Sequence, residues 1–150
     1  MQDIDESHDI HQSIEKLQSI MSGMHQIDLS ENTQHHFADG MYVRSLYQPA
    51  GCLVVGKVHK REHFFIVAKG RIQVSHGDDK AVIFEAGDVF VAQPGSKRAI
   101  LALEDSIYMN LHRNRTEGED LDEIEEDLVE TDQLALFDAH NRPRSLTWFG

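Results

Sequence analysis

The segment that decides the fold spans residues 51–70: Gly51-Cys52-Leu53-Val54-Val55-Gly56-Lys57-Val58-His59-Lys60-Arg61-Glu62-His63-Phe64-Phe65-Ile66-Val67-Ala68-Lys69-Gly70. Two runs rich in Val, Ile and Phe, 52–59 and 63–68, lie between glycines and read as short strands. Where they meet, two histidines, three basic side chains and one carboxylate crowd together. Such a cluster suits a metal site, an anion site or a charged strand end.

The same texture continues on both sides. Segments 41–47, 71–75, 80–85, 89–92, 98–103 and 107–112 are short and apolar, and Gly, Pro and Asp break the chain between them. Turn signals fall at Pro49-Ala50-Gly51, Lys69-Gly70, His76-Gly77-Asp78-Asp79, Ala86-Gly87-Asp88 and Pro94-Gly95. Eight short strands at this spacing predict an all-β barrel or sandwich.

A chain of 150 residues fits one domain with extensions. The assignment is 1–40 helix and connector, 41–115 barrel, 116–132 acidic helix and 133–150 tail. Lys and Arg total 14 against 26 Asp and Glu, a net charge of −12, which argues against generic nucleic-acid or anionic-membrane binding. Ten of the acidic residues fall within 116–132, which has no basic residue, so the body is nearly neutral. Cys52 is the only cysteine, and neither a signal pattern nor a long apolar run is present. These features predict a soluble, cytoplasmic protein without disulfides.

Ile10, Ile14, Leu17, Met21 and Met24 follow helical spacing and predict an amphipathic helix ending near Met24. Its seam could pack on its own domain or, being close to a heptad, on a partner helix. Thr116 and Glu119 form a capping-box pattern ahead of a stripe of Leu121, Ile124 and Leu128, predicting a short acidic helix that docks on the barrel. Trp148 and Phe149 close the chain as an aromatic pair suited to docking on this subunit or a neighbour.

The central segment resembles a cupin. The first cupin motif is a glycine, five residues, His-x-His, three or four residues, Glu, six residues and a glycine. Here Gly51, Lys57-Val58-His59, His63 and Gly70 keep that spacing. Gly87, Gln93-Pro94-Gly95, Arg98 and Ala102 keep the frame of the second motif, with Arg98 in place of histidine and Ala102 in place of asparagine. The resemblance implies a single jelly-roll barrel flanked by the two helices. Of the four positions that usually hold the metal, Lys57 and Arg98 offer no lone pair, so the ordinary four-ligand site is not present. The same segments, with Glu104-Asp105, His112 and the acidic helix, resemble more weakly the small cupin-like proteins of tailed bacteriophages. That likeness implies a virion or host protein as partner, in a host cytoplasm or virion.

Three readings of the interior follow. If Tyr108, Asn110 and His112 face inward, His112 joins His59 and His63 as a rebuilt site for zinc, iron, manganese or nickel. If Ile107, Met109 and Leu111 face inward, as their apolarity favours, His112 lies outside. In the second reading Lys57 and Arg98, with Tyr108 and Asn110, form an anion pocket, unless Glu62 neutralises one of the cations. In the third the barrel is kept for its shape and acts as a non-catalytic binding or assembly module. It would form a homodimer or higher oligomer through Ile10, Ile14, Leu17, Met21, Trp148 and Phe149, and Lys57, Lys60, Arg61, Lys97 and Arg98 would face a neighbour's acidic helix. The sequence places this third reading first.

Overall fold

The structure is a computed structural model that describes residues 2–24, 26–75 and 80–144, with side chains from residue 12 onward. Ile10 is described in backbone only, and Trp148, Phe149 and the 76–79 turn lie outside the described residues. Among the described residues nine antiparallel strands form two sheets: β1 (Thr33–Ala38), β2 (Met41–Gln48), β3 (Leu53–Val55), β4 (His63–Lys69), β5 (Arg71–Ser75), β6 (Ala81–Glu85), β7 (Val89–Ala92), β8 (Ala99–Ala102) and β9 (Ser106–Arg113). One sheet runs β1-β2-β9-β4-β7 and the other β3-β8-β5-β6. Helices α1 (Gln2–Met21) and α2 (Leu121–Leu128) flank them. This is the expected all-β jelly roll.

The sheets face each other across one core. Leu46, Phe65, Val67 and Tyr108 from the larger sheet meet Val55, Ile72, Val74 and Ile100 from the smaller. Gly70 turns β4 into β5 at φ +80°, and a Cβ there would stand 2.3 Å from the Ser106 hydroxyl and 2.5 Å from the Asp105 carbonyl. No side chain fits, which explains the glycine that closes the first motif.

Four expectations are corrected. β1 falls in the stretch read as a connector; it is an edge strand whose His35-His36 pair disguises the alternation of inward Thr33, His35 and Phe37. The strand read as 52–59 stops at Val55, since Gly56 and His59 donate their backbone N–H groups to Arg98 and Ser96 outside any ladder. Helix α2 begins at Leu121 and not at the Thr116 box: Asp120 accepts from the N–H groups of Asp122 and Glu123, while the Thr116 hydroxyl donates to Asn114. The seam of α1 is used within the chain. Ile14 and Met21 are buried in the barrel's own core with Leu17 packed beside them, and Ser13, Ile14 and Leu17 border Leu53, Ala99 and Leu101 on the smaller sheet. These three apolar residues are therefore no free surface for a partner helix.

Candidate metal centre

β9 is the middle strand of the larger sheet, and its register fixes what faces inward. Tyr108, Asn110 and His112 pair with Leu46, Arg44 and Tyr42 on β2, and Tyr108 and His112 are buried. Ile107, Met109 and Leu111 point outward, yet they are half-buried because β2 and β4 flank them with Val43, Phe64 and Ile66. Cross-strand neighbours supply the cover that their apolarity requires, so the inner face is free for polar side chains. The more polar of the two registers is the one adopted.

His112 thereby meets the two histidines of the first motif. His63 opens β4, and His59 sits on the preceding link, held by Gly95, whose N–H donates to its carbonyl (2.8 Å), and by a bridge to Val129. Ring centroids lie 4.3 Å (His59–His63), 4.0 Å (His63–His112) and 5.3 Å (His59–His112) apart. One nitrogen from each ring lies within 4.8 Å of the others. A tetrahedral ion with nitrogen ligands at about 2.1 Å needs nitrogens about 3.4 Å apart, so the stacked rings would have to tilt until their in-plane lone pairs converge on it.

The protonation states suit ligation. Burial pushes His112 down to about 3 and His59 well below its ordinary value, with neighbouring histidines and Arg98 acting in the same direction. Burial also lowers His63, opposed by its contact with the Arg61 carbonyl. All three rings are neutral at pH 7 and keep a lone pair each. The His63 Nδ1–H donates to the Arg61 carbonyl (3.1 Å), and Nε2 lies 3.0 Å from Asn110 Oδ1, an acceptor that has to move aside for the neutral ring to offer its Nε2 lone pair to an ion. A backbone carbonyl that fixes the tautomer is the usual support of a ligating histidine. His59 Nδ1 is buried with no partner among the described residues.

The expected anion residues divide. Lys57 is bound to Glu125 (2.5 Å), Glu62 is exposed and in no ion pair among the described residues, and the Tyr108 hydroxyl donates to Gln48 Oε1 (2.8 Å). Arg98 is buried over the Phe65 and Phe90 rings, its carbon 5.3 and 5.6 Å from their centroids. Arg44 escaped the sequence reading although β2 carries the signal. Tyr42 and Leu46 are inward-facing apolar positions, and Arg44 stands between them on the same face. These groups share a cavity of about 140 Å³ with Leu136, Phe137 and the inner side of α2.

Residues 43–109 match the family described as Cupin domain. Over these residues the chain is similar to the cupin family. Solved structures with similar folds include a cupin-2 domain containing protein from Shewanella frigidimarina, at 16% identity over 65% of this chain and 91% of that one, TM-score 0.47. A protein with a double-stranded beta-helix domain from Klebsiella pneumoniae shares 17% identity over 66% and 84% of the two chains, TM-score 0.49. KdgF from Halomonas sp. shares 19% over 63% and 89%, TM-score 0.48. No curated protein sequence matches the chain. Among the described residues no helix is long and apolar enough to cross a membrane.

Proposed function

We propose that the chain is a metal-dependent cupin that binds a small molecule inside its barrel, with His59, His63 and His112 holding one divalent first-row transition ion (zinc, iron, manganese or nickel). The observation that carries this reading is the buried, unpartnered His59 Nδ1 within a group of three neutral histidines. A buried polar atom without a partner is costly unless something else satisfies it. An ion bound there supplies Lewis acidity toward an oxygen ligand. The protein positions His63 through the Arg61 carbonyl and keeps bulk water away with Ile124 and Leu128 of α2. Elemental analysis of untagged protein, purified without added metal, is expected to find about one transition ion per chain, lost in His59→Ala and His112→Ala. A metal-free wild type whose melting temperature ignores added zinc, iron, manganese and nickel would sink the proposal.

Self-association remains a second reading, carried by a different surface from the one expected. The cations assigned to a neighbour's acidic helix meet this chain's own: Lys57 binds Glu125, Lys60 the Glu126 carbonyl, Arg61 Asp127 and Lys97 Asp132. The outer face of the larger sheet instead exposes Phe64, Val89 and Val91, with Ile66, Met109 and Leu111 beside them. A second copy applied to this face would form the homodimer, and a virion or host protein would compete for it. Light scattering at micromolar concentration is expected to show a dimer that Val91→Asp dissociates; a monomeric wild type removes this reading.

A further inference from the structure

Two guanidinium groups reach the cavity and meet no carboxylate among the described residues. Of the acids that line it, Glu125 is taken by Lys57 and Asp138 by Arg142. Arg98 is only 5% exposed, and among the described residues its side chain makes neither a hydrogen bond nor an ion pair. The two phenyl rings attract its charge but accept none of its five N–H donors in the plane. Arg44, across the cavity on β2, gives one donor to the Asn141 side-chain oxygen and keeps the others. Both cations act on the same groups, His59, His112 and Tyr108, so their fields converge on one place.

A buried cation without a counter-charge destabilises the free protein, and a forked pair of guanidiniums matches a carboxylate. We propose that Arg44 and Arg98 form a subsite for a small organic diacid bound in the barrel. The cavity of about 140 Å³ resembles in size one that holds a benzene-sized molecule (~150 Å³), which suits a diacid of about eight non-hydrogen atoms. Two negative charges balance the two cations. The apolar walls, Leu46, Val55, Ile100 and Leu136, leave a tetrahedral phosphate with fewer donors than it needs while they accommodate a short methylene chain. The subsite requires no ion on the histidines, so it stands or falls separately from the metal proposal.

The test uses full-length, chelator-treated protein at low salt with succinate, glutarate, inorganic phosphate and uncharged succinamide. At about 10 mM, succinate or glutarate is expected to raise the melting temperature by about 3 °C, and succinamide not at all. Titration calorimetry is expected to show roughly tenfold weaker diacid binding in Arg44→Gln. Arg98→Met is expected to lose binding and yet melt higher than wild type without ligand, a gain that a purely structural arginine would not give. Absence of diacid binding, equal binding of succinamide, a response to phosphate alone, or unchanged affinity in Arg44→Gln would overturn the proposal. So would an Arg98→Met protein that is less stable than wild type or fails to fold. Metal content measured on the same samples before chelation reports on the histidine proposal alone.

Discussion

Lys97 and Arg98 are adjacent and almost equally buried, 3% and 5% exposed, but they serve two different regions. Lys97 turns to the seam between the barrel and the C-terminal segment, where Asp132 meets it at 2.9 Å and Gln18 of α1 donates to the same carboxylate oxygen at 3.1 Å. Arg98 turns into the cavity, where rings stack against it and no acid among the described residues pairs with it. Burial alone therefore does not distinguish a structural cation from a functional one. The presence or absence of a counter-charge does.

The largest effect belongs to the closed side. Asp132→Ala leaves the Lys97 ammonium buried without its partner and removes the anchor that ties α1, through Gln18, to the C-terminal segment. Urea denaturation is expected to show a loss of about 3–5 kcal/mol. The contrast with Arg98 is broken if Asp132→Ala is neutral, because Lys97 would then tolerate isolation as Arg98 does.

Acid separates the same two regions by pH window, since both lose stability as pH falls but at different values. His112 falls from 6.5 to about 3 on folding, and His59, His63 and His35 shift in the same direction. Between those values the unfolded chain binds a proton that the folded chain refuses, so stability is complete above pH 6.5 and declines as pH falls. Asp132 is also lowered, from 3.8; its contribution persists above that value and is lost only below it. Between pH 7 and pH 5 the loss thus comes from the buried histidines, those of the cluster and His35 on β1, at about 2 kcal/mol for one fully shifted histidine. Metal-stripped wild type is expected to show that decline, and His112→Leu a flatter one. Equal slopes would place the acid sensitivity elsewhere.

How much of this was legible in the sequence depended on whether the signal was local. Gly51, Gly70, Gly87 and Gly95 mark turns that the backbone needs locally, φ +80° to +98°, and they showed the barrel before any tertiary fact. His59 and His63 were found because only three residues separate them. The facing of His112 was misjudged, since apolarity favours Ile107, Met109 and Leu111 as the inner face until the neighbours that cover them on the central strand's outer side are known. Arg44 was hidden for a related reason: a lone charge within β2 resembles a solvent-facing residue until Tyr42 and Leu46 are seen to flank it on the inner face. The partner of Lys57 was illegible because Glu125 lies on a helix whose docking no local pattern specifies.

The smallest effect tests whether the closed side owes its strength to charge or to burial. α2 is tied to the histidine-bearing link by Lys57–Glu125, by Lys60 to the Glu126 carbonyl and by Arg61–Asp127. The Arg61 and Asp127 side chains are 36% and 23% exposed, so water screens a pair that is as short, at 3.0 Å, as the buried one. Arg61→Ala is expected to cost under about 1 kcal/mol, with the cost shrinking further in about 1 M salt, because exposed pairs contribute little and are screened. What holds α2 down is then its apolar side, Ile124 and Leu128 packed against Tyr42, not its charges. If Arg61→Ala instead cost as much as Asp132→Ala and resisted salt, distance and not burial would set the worth of an ion pair in this protein. The unpaired state of Arg98 would then no longer mark it as a ligand site.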